Sequence, residues 1–344
     1  MKPDLSPEDA LRLNVLLAGE LHAVRIDEGA MTLHALTPRG EARVALHRNC
    51  RPDLYAMRVR ELLGGHALGS PGGYPVHLRR WTRMGQTSPQ NLAAMLKLGE
   101  PEAVTAVALA PTLTDEIARR AWWALPTMEV ARDMLAHRAV CEGAMGKVLA
   151  DFLIEHLPFE EDPIQAMNSI RAVIGADLLD AAASEQLWAK AKRRPHYFLG
   201  FLEHRPDALP TEGERPLPGE VAAQAAAGDG WARQLARCYA PSGQSFLRAA
   251  EMALEKPPAH EAVYLLLDIL GAYFAPVRAA AAMAGIPDEL RREAAAMSAL
   301  SRLSNADAEP ILTRTTAVGP LMRRHLEPLF EPLLVHIRTL RGQS

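Results

Sequence analysis

The sequence predicts a mainly α protein, in which a small N-terminal α+β domain precedes a long array of helices. Three observations predict this fold class. Apolar and polar residues alternate with period two around residues 20–47, and again at 75–79. From residue 88 onward, Ser, Thr or Pro helix starts recur every ~10–20 residues. Between the two regions, residues 64–86 are rich in glycine and proline, which is typical of turns.

The composition of the 344-residue chain excludes several classes of protein. Apolar residues make up 49% of it, which suffices for a sizeable core. The net charge of −3 argues against a general binder of nucleic acid or membrane surfaces. Cys50, Cys141 and Cys238 match no metal or redox spacing and fit a reducing cytoplasm. No signal peptide or membrane span is recognised, so we expect a soluble cytoplasmic protein.

The first domain is expected at residues 1–87. Ser6 caps its first helix, and Pro7 suits the first helical turn. Three alternating segments follow, joined by short turns, and predict an antiparallel three-stranded meander with one apolar face. They lie at residues 22–26, 31–36 and 43–47. A second helix is predicted at about residues 52–63, and a short strand at 75–79 follows the Gly-rich stretch.

The remaining chain is predicted to form two helical arrays, residues 88–204 and 221–344, with the second packed on the first. Residues 205–220 contain four prolines and two glycines and predict an exposed loop or linker. Antiparallel pairs of short helices build HEAT-like solenoids. Because no strict repeat period is visible, an irregular helical array is an equal alternative.

Two segments of these arrays allow more specific predictions, one about an apolar helix face and one about a helix boundary. Residues 141–157 form the clearest amphipathic helix. Its apolar face carries Met145, Val148, Leu149, Phe152, Leu153 and Leu157. Pro328 and Pro332 lie four residues apart, and two such prolines would clash inside one helix. We therefore expect a kink or a helix start at these prolines.

No catalytic or metal-binding signature is visible in the sequence. The twelve histidines include no HExxH motif. Gly64 and Gly69 have the spacing of a phosphate-binding loop, but Ser70 and Pro71 stand where Lys and Ser or Thr are required. No catalytic residue, cofactor or metal is therefore predicted.

Two further features have both a structural and a functional interpretation. The basic run at residues 190–194, before His196, suggests nucleic-acid contact, but a basic helix C-terminus that meets the helix dipole is favoured. Trp122 and Trp123 suggest a ligand platform, but core packing at helical spacing is favoured.

A local charge asymmetry marks one candidate surface. Residues 39–87 contain nine arginines and three acidic residues, in a chain of net charge −3. Either this region is held against the acidic helical part, or it meets an anionic partner. Arginine binds carboxylates and phosphates through a planar fork, and tryptophan adds a stacking face. The candidate binding residues are His66, Tyr74, Arg79, Arg80, Trp81 and Arg83.

Three motifs carry a family resemblance. They are LGSPGGYPVHLRRWTRMGQ at residues 68–86, LGEPEAV at 98–104 and LTDEIARRAWWALP at 113–126. They resemble the DsrS family, encoded with the reverse-acting dissimilatory sulfite reductase system of sulfur-oxidising bacteria. The resemblance implies a soluble cytoplasmic protein that is accessory to the oxidation of stored sulfur or controls that gene cluster. It implies no catalytic residue.

Residue chemistry and resemblance together favour an accessory or regulatory interaction protein of dissimilatory sulfur oxidation, with a protein partner and no membrane contact. Two alternatives stay open. An enzyme or small-molecule sensor would bind an anionic ligand in a cleft between the N-terminal domain and the helical array, through Arg79, Arg80, Trp81 or His66. A nucleic-acid-binding regulator would use the basic N-terminal domain.

Overall fold

The structure is a computed structural model, and most of the residues that it describes are helical. The described residues are 5–68, 88–211, 213–279 and 286–343. The chain divides into two compact units, Met1–His156 and Leu157–Ser344. The mainly α fold class with a small N-terminal antiparallel sheet is confirmed. The strand predicted at residues 75–79 lies outside the described residues.

The first unit begins with a helix, a sheet and a second helix. Their bounds are α1 Pro7–Leu17, β1 Ala23–Asp27, β2 Thr32–Thr37, β3 Gly40–Ala45 and α2 Pro52–Leu68. The strands pair antiparallel in the order β1-β2-β3, as the alternation predicts. The third strand begins earlier than predicted, because Pro38 and Arg39 form a two-residue turn and Thr37 already pairs with Gly40. Gly40 supplies the φ of 115° found there.

Alternation along the strands gives the sheet one apolar face and one polar face. The apolar face packs with α1 and α2 in a buried core. This core includes Leu13, Leu17, Val24, Leu33, Ala35, Tyr55, Val59 and Leu63. The polar face carries Arg25, His34 and Arg43 in one row across the three strands, since His34 is the register partner of both arginines.

A buried carboxylate joins the elements around this core. Asp9 of α1 is fully buried and accepts hydrogen bonds from the Tyr55 hydroxyl and from the backbone N–H of His47, both at 2.6 Å. Burial raises the pKa of Asp9, but these hydrogen bonds outweigh burial and lower the pKa overall. The ionised Asp9 therefore holds α1 to α2 and to the segment after β3.

Six short helices complete the described part of the first unit. They are α3 Pro89–Met95, α4 Pro101–Ala108, α5 Asp115–Ala124, α6 Met128–Leu135, α7 Arg138–Cys141 and α8 Ala144–His156. The amphipathic helix predicted at 141–157 is thus divided, with Cys141 at the end of α7. Val148 was expected on its apolar face, but its exposed fraction is 47%. Met145, Leu149 and Leu153 are buried as predicted.

The second unit is an assembly of helices of very different lengths. In its described part these are α9 Pro163–Gly175, α10 Ala181–Ala191, α11 Phe198–His204, α12 Gly219–Ala226, α13 Gly230–Tyr239, α14 Pro241–Glu255, α15 His260–Tyr273, α16 Arg291–Ser301, α17 Glu309–Leu312 and α18 Gly319–Leu340. Lengths from 4 to 22 residues favour the irregular array over a regular repeat. Among the described helices, none combines the length and apolarity that a membrane span requires.

The helix start expected at Pro328 or Pro332 is wrong. Both prolines lie inside α18, and both are exposed. The opposite face of α18 is buried through Leu326, Phe330 and Leu333, among others. Packing of this face keeps the segment helical, although each proline removes one backbone donor.

The loop predicted at residues 205–220 is present up to Pro218, but it is anchored. Leu209 is buried in the core of the second unit. The Arg215 guanidinium donates to Glu293 at 3.0 Å and to the backbone carbonyl of Thr339 at 3.1 Å. These contacts fix the loop to α16 and to the end of α18.

Candidate functional site

Most of the predicted binding residues lie outside the described part of the chain. These are Tyr74, Arg79, Arg80, Trp81 and Arg83. His66 is described, and it is exposed in the last turn of α2. It does not line the groove described below.

Four of the six described arginines between residues 39 and 60 have carboxylate partners. The pairs are Arg43 with Glu41, Arg51 with Asp53, Arg58 with Glu61 and Arg60 with Glu28. The positive charge of this part of the sequence is therefore largely compensated inside the first unit. The count of arginines therefore does not by itself mark an anion-binding surface.

A groove of about 410 Å³ lies beside β1 in the first unit. β1 forms one side, the segment at Gly99 and the first turn of α4 form a second, and the C-terminal end of α5 forms a third. Its apolar lining consists of Val24, Ile26, Gly99, Val104, Ala124 and Leu125. Arg25 and His34 line the side toward the polar face of the sheet. Asp27 and Glu100 also line the groove, so it combines apolar walls with charged side chains of both signs.

The outer edge of β1 faces this groove with its backbone. The N–H of Val24 donates to the carbonyl of Leu96 at 2.8 Å rather than to β2. In an antiparallel ladder, successive residues alternate between the two sides of a strand. Ile26, two residues further on, therefore directs its N–H and C=O away from β2 as well. Beyond Leu96 the neighbouring chain turns into Gly99 and α4, which leaves the groove beside Ile26.

Gly99 allows the wall of the groove to approach β1 closely. Its φ is +67°, a conformation that side chains rarely adopt. A Cβ at this position would lie 3.1 Å from Cδ1 of Ile26. Arg60 holds the same segment, because its Nε donates to the carbonyl of Gly99 at 3.1 Å and its guanidinium pairs with Glu28.

A carboxylate hub organises the polar face of the sheet next to the groove. Glu41 of β3 lies 2.8 Å from Nδ1 of His34 and accepts from Nε of Arg43 at 3.1 Å. It also accepts from the indole N–H of Trp123 in α5 at 3.3 Å. The Arg25 guanidinium lies 4.8 Å from the centre of the Trp123 ring and 3.6 Å from Glu41. One carboxylate therefore positions two arginines, a histidine and a tryptophan.

Glu41 stays ionised over the whole physiological range. The hydrogen bond with His34 is the largest cause that lowers its pKa, and with Arg43, Trp123 and the charge of Arg25 the pKa falls to about 2. Among the described residues, Arg25 is the one arginine that lines the groove, and Asp27 and Glu100 line it as well, so the described lining has no positive excess.

The residues of this hub were not among the predicted binding residues. Trp123 was expected in the core, but it is only half-buried. The signal for the row Arg25, His34 and Arg43 is present in the sequence, since the hairpin turns set the strand register. The contact of Glu41 with α5 has no local signal, because it joins residues 82 positions apart.

The described residues contain no cluster of three or more His, Cys, Asp or Glu side chains arranged to hold a metal ion. Comparison with known proteins gave no match, whether with family models, curated proteins or solved structures. Two of the motifs that resemble the DsrS family, at residues 98–104 and 113–126, supply two walls of the groove. Gly99 and Val104 come from the first motif, and Leu125 comes from the second.

Proposed function

We propose that the protein is an interaction module whose groove receives an extended segment of a partner protein beside β1. The observation that carries this proposal is the outward-facing backbone of Ile26 along a groove with apolar walls and charged side chains of both signs. An extended peptide adds to a free strand edge through main-chain hydrogen bonds, and pockets for alternate side chains give specificity.

The groove supports a defined chemistry for the partner segment. Side chains that point toward Val104 and Leu125 are apolar. Side chains on the opposite face lie next to Arg25, Asp27 and His34, where polar side chains complement the mixed charges of the lining. A segment of about five residues matches the length of β1.

The cellular context of the proposal comes from the motif resemblance. We place the protein among the cytoplasmic accessory proteins of dissimilatory sulfur oxidation, with a partner from that machinery. The resemblance supports this groove in particular, since two of its three motifs form groove walls. The proposal includes no catalytic step.

The test begins with the tagged protein, purified from cells of its source organism grown on reduced sulfur. A protein that copurifies in stoichiometric amount is identified by mass spectrometry, and hydrogen exchange of the purified complex maps its contact. We expect the amides in β1 to exchange more slowly in the complex than in the free protein. A synthetic peptide with the sequence of the partner's contact segment is expected to slow their exchange in the same way.

A proline variant and its matched control give the decisive comparison. Ile26→Pro removes a backbone N–H that points away from β2 and makes no hydrogen bond to it. Pairing of β1 with β2 is therefore retained. Ala45→Pro places the same change on the opposite free edge, because Ala45 of β3 faces outward by the same alternation. Binding is expected to be lost in the first variant and kept in the second, with both proteins folded by circular dichroism.

Three outcomes contradict parts of the proposal separately. Protection away from β1, or full binding by Ile26→Pro, excludes the groove as the docking site. A small molecule found in the native protein by mass spectrometry, without a protein partner, supports the sensor alternative instead. A β1-bound partner unrelated to sulfur enzymes retains the docking site and excludes the sulfur context.

A further inference from the structure

A second pocket, of about 230 Å³, lies within the unit Leu157–Ser344, at the C-terminal end of α10. Leu157, Pro158 and the ring of Tyr197 form its apolar part. Lys190, Arg193 and Arg194 form the rest of its lining. The lining thus combines three cationic side chains with an apolar floor and contains no carboxylate.

The cationic side chains of this pocket differ from those arginines of the second unit that form ion pairs. Arg171 binds Glu203 and Arg237 binds Asp207, each through two hydrogen bonds. Lys190 and Arg193, in contrast, have no ion-pair partner within the described ranges. Unpaired positive charge beside an apolar cavity favours an anion as occupant.

Arg194 is held in place by Tyr197. Its guanidinium donates to the Tyr197 hydroxyl at 2.9 Å and lies 5.8 Å from the centre of the same ring. The tyrosine itself is buried, with an exposed fraction of 2%. One guanidinium is therefore fixed at the rim of the pocket before any ligand binds, which lowers the entropy cost of binding.

The end of α10 accounts for only part of this basic cluster. A helix C-terminus carries about half a negative charge. One carbonyl in the last turn of the helix, that of Lys190, is already satisfied by backbone groups, because the N–H groups of Arg193 and Arg194 both point to it. The Lys190 carbonyl therefore requires no side-chain cap.

We infer that this pocket binds a small organic anion, with a phosphate, sulfonate or carboxylate group attached to a short apolar body. The charged group lies between Lys190, Arg193 and Arg194, and the apolar body contacts Leu157 and Tyr197. The volume corresponds to about seven or eight water molecules. It therefore suits a ligand the size of a single ring rather than a nucleotide or a polymer.

Isothermal titration of the full-length protein with phenyl phosphate tests this inference. Inorganic phosphate probes the charge alone, and benzyl alcohol probes the apolar body alone. We expect phenyl phosphate to bind at least tenfold more tightly than either. Lys190→Gln and Arg193→Gln are each expected to weaken phenyl phosphate binding about tenfold, as the loss of one charge-assisted hydrogen bond predicts.

Lys192→Gln is the matched control, because it removes the same charge from the same segment without lining the pocket. It is expected to change the affinity by less than twofold. All variants carry exposed substitutions, and circular dichroism confirms that they fold. The proposed function does not depend on this pocket, so Ile26→Pro is expected to bind phenyl phosphate as the wild type does.

Several outcomes overturn the inference. They are an absence of phenyl phosphate binding, equal binding of inorganic phosphate, and equal weakening by Lys192→Gln. A single-stranded DNA oligonucleotide that displaces phenyl phosphate, with affinity that falls steeply with salt, shows a polyanion surface and contradicts the small-molecule site.

Discussion

The indole N–H of Trp123 donates to the carboxylate of Glu41 at 3.3 Å, across 82 positions of the chain. This hydrogen bond joins α5 to the polar face of the sheet. The Arg25 guanidinium covers the Trp123 ring, so the same indole positions an arginine that lines the groove. The contact links a wall of the groove to the strand that the groove follows.

The first prediction concerns this hydrogen bond. Trp123→Phe keeps an aromatic ring under Arg25 but removes the donor, and we expect it to lower the free energy of unfolding by about 1 kcal/mol. Urea denaturation provides the measurement. In a Glu41→Gln background the same substitution is expected to cost clearly less, because the charged acceptor is already absent. Equal costs in both backgrounds would show that ring size, rather than the hydrogen bond, determines the effect.

The second prediction concerns the pH dependence that Glu41 contributes. Its pKa is about 2 in the folded protein, below the usual 4.5 of a glutamate. A carboxyl with a lowered folded-state pKa stabilises the fold above its unfolded pKa and loses that contribution as the pH falls to the folded pKa. We therefore compare the midpoints of urea denaturation of wild type and Glu41→Gln. The difference between the two midpoints should be constant above pH 5 and shrink between pH 4.5 and 2. A difference that is unchanged at pH 2.5 contradicts the assigned pKa.

The sheet could be predicted because its signals are local. Alternation gives the strands, and short turns give the antiparallel order. The start of β3 was misplaced because Gly40 and Glu41 do not continue an apolar pattern, although they pair with Thr37 and Leu36. Backbone pairing, rather than side-chain pattern, sets that end of the strand.

The candidate site was less predictable because it depends on contacts between distant residues. Trp123 has helical spacing in an apolar setting, which is equally typical of a core residue. Only the packing of α5 beside β1 shows that its N–H meets Glu41. In the same way, the continuous helix through Pro328 and Pro332 depends on burial of Phe330 and Leu333. Sequence periodicity does not show whether the free energy gained by this burial exceeds the cost of two missing backbone donors.

The third prediction concerns His196, whose pKa is lowered to about 4 by burial and by the charge of Arg194. Its Nε2 is buried without a hydrogen-bond partner. Because the unfolded histidine takes up its proton first, stability is full above pH 6.5 and falls as the pH decreases toward 4. His196→Phe removes this titration, so the free energy of unfolding of the variant relative to wild type should rise by about 3 kcal/mol between pH 7 and 4. A constant difference in urea stability over this range would contradict the prediction.

The fourth prediction concerns the three thiols. Cys238 is fully buried, and burial raises its pKa to about 12. Cys141 is half-buried, its pKa is raised by burial, and its thiol donates to the carbonyl of Leu135 at 3.1 Å. Cys50 lies in the bend before α2 and is also half-buried, so the raised pKa of Cys141, rather than its burial alone, is expected to slow the reaction of Cys141. Iodoacetamide should therefore label Cys50 first, Cys141 more slowly and Cys238 only after unfolding, as followed by peptide mass spectrometry. Labelling of native Cys238 at the rate of Cys50 would contradict the burial assigned to it.

The last prediction concerns the prolines inside α18. Pro332 cannot donate to the carbonyl of Pro328, and its ring crowds that turn of the helix. Pro332→Ala restores the donor on the exposed side and leaves the buried face intact. After allowance for the greater freedom of the unfolded chain, we expect the free energy of unfolding in urea to rise by about 1–2 kcal/mol. The matched control is Pro320→Ala in the first turn of α18, where no internal donor is missing. That variant should be neutral or slightly destabilised. Equal stabilisation by both substitutions would show that the gain does not come from the restored hydrogen bond.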